Sequence, residues 1–233
     1  MEFKNPPPEQ ISIKANKNKA FTLSEVLITL VIIGVVAAIT VPVLFANYQE
    51  KAIKSSLKKN YSALTQALTR YQADNSQRLM LSDITDDKQM KSILKEYMMV
   101  MYDCDEMTGE KACLPTSKNG LFSDVYKTYS KKSSLPKDYY KDGQLVLQDG
   151  SLIMIYSNIT QIVPRLYILV DVNGFGKKPN IVGRDVFAFQ LSEDGHLLPM
   201  GSKGTNFDPD LDCSKTSASF INGLGCTSKM LVD

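Results

Sequence analysis

Residues Lys19 to Glu25 read K-A-F-T-L-S-E, and the next 24 residues, Val26–Gln49, carry no charged side chain. A span of about 20 apolar residues is long enough to cross a bilayer as a helix. An ionised carboxylate in a bilayer costs about 2.5–3.5 kcal/mol on insertion scales, so a residue of this kind indicates a function. We therefore interpret the rest of the chain from Glu25, which stands at the head of this span.

A partner for Glu25 becomes evident if the chain is cut between Ala20 and Phe21. The new α-amine of Phe21 would then lie four residues before Glu25, close to one helical turn away. A free amine at a helix start meets the positive end of the helix dipole, and a carboxylate from a neighbouring copy would neutralise it. The sequence therefore predicts pairing between subunits.

This segment resembles the class III signal of type IV pilins and type II secretion pseudopilins. The matching residues are Ala20, Phe21, Thr22, Leu23 and Glu25, and Gly34 and Pro42 also fall where that family commonly places a glycine and a proline. The resemblance implies that a prepilin peptidase cleaves after Ala20 and methylates the Phe21 amine, and that the subunit then polymerises into a helical filament. It assigns Glu25, Gly34 and Pro42 to assembly. The leader, at 20 residues, is long for a signal that precedes a mature Phe.

Two other kinds of N-terminal segment fit this stretch less well. A secretory signal peptide is cut after its apolar core, but no A-x-A-like site ends this span, and Pro42 is followed directly by a helical pattern. An ordinary membrane anchor would have no use for Glu25. The pilin-type interpretation explains both features.

Charge and length bound the remainder of the chain. The sequence has 233 residues, with 27 basic and 25 acidic side chains. Residues 1–20 hold four lysines and two glutamates, so cleavage would leave 23 basic and 23 acidic residues. This balance argues against nucleic acid as a general partner. The leader lysines predict a cytoplasmic start, with the bulk of the chain outside the cytoplasm.

We therefore expect three segments. A prepilin leader covers residues 1–20, a transmembrane and assembly helix covers 21–46, and an extracytoplasmic pilin-like head covers 47–233. The chain should first cross the inner membrane once and later lie in a periplasmic or cell-surface filament.

Four cysteines fit an oxidising compartment. Cys104 lies near Cys113 and Cys213 lies near Cys226, and four cysteines allow three connectivities. Local pairing is the simplest of these, and the second pair would close a C-terminal loop as in many pilins. A zinc site is the alternative, but neither pair is C-x2-C and His196 lies near neither.

The hydrophobic pattern predicts an α+β fold that begins with a long helical spine. Apolar residues recur at steps of three to five from Tyr48 to Tyr71, which marks one face of a helix. We predict a continuous helix over Thr22–Ala73, bent at Pro42 because proline has no N–H to donate. Its first half is apolar all round, and its second half is amphipathic, as expected where a head packs on one face.

The head is predicted from patterns further along the chain. Asp86 and Gln89 suggest a capping box for a second helix over Asp86–Met101, whose methionine-rich stripe we interpret as core. Period-two patterns predict an antiparallel sheet of about four strands, at Leu145–Gln148, Ser151–Tyr156, Arg165–Val172 and Asp185–Leu191. Asp149-Gly150 predicts a two-residue hairpin turn between the first two strands, and Asp194-Gly195 a turn into His196–Pro199. The tail after Gly201 is loop-rich and should depend on its disulfide.

Residues 171–185 read D-V-N-G-F-G-K-K-P-N-I-V-G-R-D. Asp171, Asn173 and Asp185 offer oxygen ligands of the kind that Ca²⁺ prefers. The loop is not an EF-hand, because Phe175 stands where a third acidic ligand would be. Major pseudopilins bind calcium in a loop near their C-terminal sheet, so the resemblance points the same way. The alternative is a simple connection whose Asp and Asn cap turns; no other cofactor is expected.

Two further clusters have less specific interpretations. His196 lies near Ser192 and Asp194, but a turn tip offers no pocket or oxyanion hole for a catalytic triad, and triads are recognised by geometry. A basic cluster at positions 51, 54, 58 and 59 could meet lipid phosphates, acidic side chains of neighbouring subunits or DNA, or could be a solvated helix face.

We conclude from the sequence that the chain is a non-enzymatic structural subunit of a type IV pilus-like or type II secretion pseudopilus filament. The alternatives are a minor or tip pilin, or a DNA-uptake pseudopilin, that binds a ligand. A membrane-tethered enzyme would need a pocket of titratable residues, which the sequence does not suggest. The expected partners are copies of itself and related pilins or pseudopilins, the prepilin peptidase, the inner-membrane assembly platform and lipid.

Overall fold

The computed structural model describes residues 21–104, 112–114, 125–159, 161 and 163–232. The expected leader, with Ala20, lies outside the described residues. The described chain divides into two compact units, one that ends at Asn47 and one that begins at Tyr48.

Helix α1 comprises Leu23–Asn75, within two residues of the predicted bounds. It includes Pro42, which cannot donate a hydrogen bond to the carbonyl of residue 38, and residues 34–42 are helical despite their glycine and β-branched side chains. Only the second part of the helix has buried positions, at Leu57, Asn60, Leu64 and Ala67. The predicted change from an apolar to an amphipathic helix is therefore confirmed.

The second helix is shorter than the helix over Asp86–Met101 that the sequence predicts. Helix α2 comprises only Gln89–Tyr97, and the chain is extended at Met98 and enters strand β1 at Val100–Asp103. Tertiary context overrides the helical spacing of the methionines, because β1 pairs with a strand more than 40 residues later in the chain.

The predicted capping box of α2 was also wrong. The N-cap residue is Lys88, without a side-chain cap. Asp86 Oδ1 instead accepts the Lys88 N–H at 2.8 Å, and Gln89 Oε1 accepts the Thr85 N–H at 2.8 Å. These side chains stabilise the turn before the helix rather than its first turn.

The sheet is antiparallel, as predicted, but has six strands in the order β1-β2-β3-β4-β5-β6. The two strands that raise the count are the edges, β1 and the three-residue β6. The remaining bounds are β2 Gly143–Leu147, β3 Leu152–Asn158, β4 Arg165–Asp171, β5 Val186–Leu191 and β6 Leu197–Pro199.

The β2–β3 hairpin has a three-residue loop rather than the predicted two-residue turn. Val146 pairs with Leu152, and Leu147 donates its N–H to the Ser151 carbonyl at 2.9 Å, which leaves residues 148–150 as the loop. Gly150 has a φ of 85°, the left-handed conformation that ends a type I turn with a bulge. The Asp-Gly pair marked the turn correctly but not its register.

Alternate residues of the strands bury opposite faces of the sheet. One face packs on the second part of α1, where Tyr61 stacks on Phe189 with ring centroids 5.2 Å apart. The other face is covered in part by the tail, whose Phe207 and Leu224 belong to a second apolar cluster. The tail ends in the short helix α3, Thr227–Val232, and so has its own apolar contacts besides its disulfide.

Candidate functional site

The start of α1 is organised by Thr22 and Glu25. Glu25 Oε2 accepts hydrogen bonds from both the Thr22 N–H and the Thr22 hydroxyl, each at 2.9 Å. The Thr22 hydroxyl oxygen in turn accepts the Glu25 N–H at 3.2 Å. This reciprocal pair is a capping box. It fixes the carboxylate at the N-terminal end of the helix, where the helix dipole favours negative charge.

One oxygen of this carboxylate remains available. Within the described residues Glu25 Oε1 accepts no hydrogen bond, and the side chain lies on an exposed surface. Phe21, next to the cap, is 85% exposed. The Glu25 carboxylate is held in place through Oε2, and its Oε1 can accept a hydrogen bond from a cation on another molecule.

The first part of α1 has no packing partner within its own unit. Among the described residues, α1 is the one helix that is long and apolar enough to cross a membrane. A Cβ added at Gly34 would meet nothing within 4 Å. The described part of the fold therefore does not require a glycine at this position.

The loop between β4 and β5 brings together the three residues predicted to bind calcium. Asp171 ends β4, and its Oδ1 accepts the N–H groups of Asn173 and Gly174, at 3.4 and 2.9 Å. Asp185 precedes β5, and its two oxygens accept the N–H groups of Asn180 and Ile181, both at 2.7 Å.

The two carboxylates of this loop lie in surroundings that disfavour their negative charge. Burial, and to a lesser extent the nearby Asp185 carboxylate, together raise the pKa of Asp171 to about 7. Burial also raises the pKa of Asp185, although hydrogen bonds from Ile181 and Asn180 oppose this shift. In the described part of the chain no lysine or arginine forms an ion pair with either carboxylate.

Two amide oxygens in the same loop have no hydrogen-bond partner among the residues that the structure describes. Asn173 Oδ1 and Asn180 Oδ1 are buried and accept no hydrogen bond, a state that costs about 1–3 kcal/mol for a neutral group. The two buried carboxylates and the two carbonyl oxygens are hard oxygen ligands of the kind that Ca²⁺ prefers. The described residues contain no group of three His, Cys, Asp or Glu side chains suited to a metal, so amide and backbone oxygens would complete the shell.

Two further residues, Tyr126 and Asn180, belong to this loop site and were not predicted from the sequence. Tyr126 donates its hydroxyl hydrogen to Asp171 Oδ2 at 3.0 Å, and burial raises its pKa well above the usual range. It comes from a segment 45 residues earlier in the chain, so no local spacing could reveal it. Asn180 stood in the quoted motif, but only its buried, unpartnered oxygen distinguishes it from a turn residue.

The cysteines form two local disulfides, Cys104–Cys113 and Cys213–Cys226. Cys226 is buried, and a Cβ at Gly183 would collide with its sulfur. The loop closed by the second bridge therefore packs directly against the β4–β5 loop.

His196 does not form a catalytic triad. Its Nε2 lies 2.7 Å from Arg78 Nη1 and 3.5 Å from Asp194 Oδ2. The Ser192 hydroxyl bonds Asp194 and the His196 backbone, not the imidazole ring. These contacts close the β5–β6 turn.

Comparison with known proteins agrees with the geometry of the N-terminal segment. The family described as the prokaryotic N-terminal methylation motif matches residues 15–41. The type II secretion system core protein G of Escherichia coli (strain K12) is 43% identical over 60 residues, which cover 26% of this chain and 41% of that protein. The proteins of the same name from Klebsiella pneumoniae and Vibrio cholerae are 40% identical over 60 residues and 41% identical over 63 residues.

The chain thus spans about two fifths of the length of these relatives, 41–42%. No solved structure matches it. The predicted resemblance to the prepilin-type methylation signal is confirmed, and the α+β architecture of a long N-terminal helix with an antiparallel sheet is pilin-like.

Proposed function

We propose that this chain is a structural subunit of a type II secretion pseudopilus or a type IV pilus-like filament, assembled through its N-terminal helix. The observation that carries the proposal is the Thr22–Glu25 capping box at the head of a 24-residue uncharged stretch. The methylation motif over residues 15–41 supports it. The division into a leader, a transmembrane helix over 21–46 and a head over 47–233 is part of the same proposal.

Cleavage of the leader would create a cationic amine that can pair with Glu25. Cleavage after Ala20 by a prepilin peptidase leaves a cationic amine on Phe21, and methylation retains its charge. Within one subunit, Glu25 Oε2 already accepts the two hydrogen bonds from Thr22. The free Oε1 then accepts the amine of the next subunit, in surroundings where either charge alone is costly.

The pairing of Glu25 with the Phe21 amine of a neighbour can repeat from subunit to subunit. Each subunit offers its amine to one neighbour and its carboxylate to another, so the contact joins two different surfaces of the same chain. Contacts of this heterologous kind generate helical filaments when the rotation does not close a ring. Before assembly, the exposed apolar side chains of α1 would lie in the lipid of the inner membrane, with the head outside the cytoplasm.

The β4–β5 loop supports a second element of the proposal, a structural Ca²⁺ site in the head. Asp171, Asp185, Asn173 and Asn180 would hold the ion through side-chain oxygens. The ion would supply the positive charge that the two buried carboxylates lack and would satisfy the orphaned amide oxygens. Because the disulfide loop packs on this connection, the ion would also stabilise the tail.

Mass spectrometry of the N-terminal peptide from native membranes tests the processing step. The proposal expects a mature chain that begins with an N-methylated Phe21 in cells that contain active prepilin peptidase. An intact leader in such cells would remove the amine on which the assembly mechanism depends.

A further inference from the structure

The head contains a groove of about 460 Å³ between the second part of α1, the segment that joins α2 to β1, and the β2–β3 turn. Its α1 side carries the small residues Ala63 and Ala67, and Met98 and Leu147 form apolar parts of its wall. Met99, at its edge, is 75% exposed. We call this feature the alanine groove. Its volume lies within the range of about 300–1,000 Å³ that is usual for binding pockets.

Two cations stand on the α1 rim of the alanine groove. Lys59 Nζ is paired with Asp149 Oδ2 at 2.8 Å across the groove. Arg70, at the other end, is exposed, and its guanidinium makes no hydrogen bond or ion pair with any described residue. The rim therefore carries one compensated and one uncompensated positive charge, which favours an occupant with an apolar side chain and a carboxylate.

A surface loop of the same chain has that chemistry. Residues 208–212 read D-P-D-L-D, and Leu211 is 73% exposed between acidic neighbours. Asp210 is more exposed still, with 85% of its side chain accessible, and its carboxylate pairs with Lys229 at 2.8 Å. An exposed ion pair of this kind contributes little to stability, so Asp210 can exchange its partner readily.

Hydrogen bonds within the acidic loop, residues 208–212, hold its backbone. Asp208 Oδ1 accepts the N–H groups of Asp210 and Leu211, at 2.7 and 3.0 Å, and these bonds hold the pKa of Asp208 below its usual range. Asp212 Oδ2 accepts the Asp208 N–H at 3.0 Å. These bonds hold the backbone at Leu211, and a segment whose backbone is already ordered loses less entropy when it binds.

We propose that Leu211 of one subunit inserts into the alanine groove of a second copy of this chain, with Asp210 paired to Arg70. Apolar surface meets apolar surface, and the acidic flank meets the uncompensated guanidinium, so the two sites are complementary in both respects. The contact joins two different patches, so it is heterologous and can repeat along a filament. It rests on the proposed assembly and adds a head-to-head contact to the helix-to-helix one.

Site-specific photocrosslinking of the full-length protein in cells tests the contact. The photoreactive residue benzoylphenylalanine replaces Leu211, filaments are sheared off after irradiation, and crosslinked peptides are identified by mass spectrometry. We expect bands at the dimer mass and above, with adducts on Met98 or Met99. Adducts that map elsewhere on the chain, or only to another protein, would overturn the proposal, as would filaments without an adduct.

Charge reversal gives the matched control. Arg70→Glu places like charges together and should lower the adduct yield about tenfold. The combined variant Arg70→Glu/Asp210→Lys restores opposite charges in every contact and should recover the yield to within about twofold. Lys137→Glu changes an exposed charge that does not line the groove and should leave the yield unchanged.

Filament yield, measured in the same preparations, separates this inference from the proposed function. If the wild-type chain forms filaments but the double reversal does not recover the adduct yield lost in Arg70→Glu, the Leu211 contact is refuted. The filament proposal then remains intact. Absence of any filament from the wild-type chain in cells with a complete assembly system would refute both.

Discussion

Thr22 and Glu25 hold each other at the start of α1: the amide and the hydroxyl of Thr22 both donate to Glu25 Oε2 at 2.9 Å. The carboxylate on which the assembly mechanism depends is therefore positioned by the preceding turn before any neighbour arrives. This arrangement lowers the entropy lost on binding, because one rotamer is already selected.

Replacement of Thr22 tests this positioning. Thr22→Val keeps the size but removes the hydroxyl, and loss of a cap of this kind costs about 1 kcal/mol of helix stability. We expect a partial loss of filament yield, because Glu25 remains present but less ordered. Thr22→Ser keeps both hydrogen bonds and should assemble normally. Equal yields from the Val and Ser variants, at equal amounts of mature subunit in the membrane, would show that the capping box does not matter for assembly.

Calcium should stabilise the head through the β4–β5 loop. If the free ion exceeds its dissociation constant a hundredfold, the free energy of unfolding rises by about 2.7 kcal/mol. Thermal melts of the full-length protein in detergent, with calcium and with chelator, measure the shift. Asp171→Asn should abolish the shift, whereas Asp138→Asn, a change at an exposed carboxylate, should preserve it. A calcium shift that survives Asp171→Asn would remove the ion from this loop.

Both disulfides should be oxidised in the mature protein, as Cys104–Cys113 and Cys213–Cys226. Non-reducing peptide mapping decides the connectivity, and a crossed pattern would contradict it. Loss of either bridge is expected to cost about 2–4 kcal/mol. The double serine variant of the second pair should lower the melting temperature more, because that loop is longer and its Cys226 packs against the β4–β5 loop.

A buried ion pair joins α2 to the edge strand β1. Lys91 Nζ lies 2.5 Å from Asp103 Oδ1, and both side chains are less than a tenth exposed. Lys91→Met would remove the buried cation that is paired with the Asp103 carboxylate, so we expect a loss of about 3 kcal/mol in the free energy of unfolding. Lys95→Met removes a side chain that is 41% exposed and should cost under about 1 kcal/mol. Urea unfolding of the two variants compares them, and equal losses would contradict the assigned difference.

The parts of the fold that could be predicted from sequence are those whose signals are local. The bounds of α1 follow from an uncharged stretch, a threonine cap and a repeating apolar face, all within one segment. Strand β1 could not be found in this way, because Val100–Asp103 continues the helical spacing of α2 and becomes a strand only by pairing with β2. The hairpin loop was misjudged by one residue, because Asp-Gly suits both a two-residue turn and a bulged three-residue loop.

The candidate sites also divide into those with a local sequence signal and those formed by distant segments. Glu25 and the three loop residues Asp171, Asn173 and Asp185 are close in sequence to the features that make them recognisable. The alanine groove was not predicted at all, because its walls come from three separate elements of the head. The acidic loop at Leu211 is visible in the sequence, but its exposure and its internal hydrogen bonds are properties of the folded tail.

The central claim is that the Glu25 carboxylate drives assembly by pairing with the Phe21 amine of a neighbouring subunit. The most direct measurement is the yield of sheared filaments by electron microscopy from Glu25→Ala, with membrane-bound mature subunit quantified in parallel. Glu25→Gln, which keeps the size without the charge, should fail as well, and Glu25→Asp should retain part of the yield. We predict that Glu25→Ala leaves mature, folded subunit in the membrane and few or no filaments. A normal filament yield from Glu25→Ala in an otherwise wild-type background would contradict the claim.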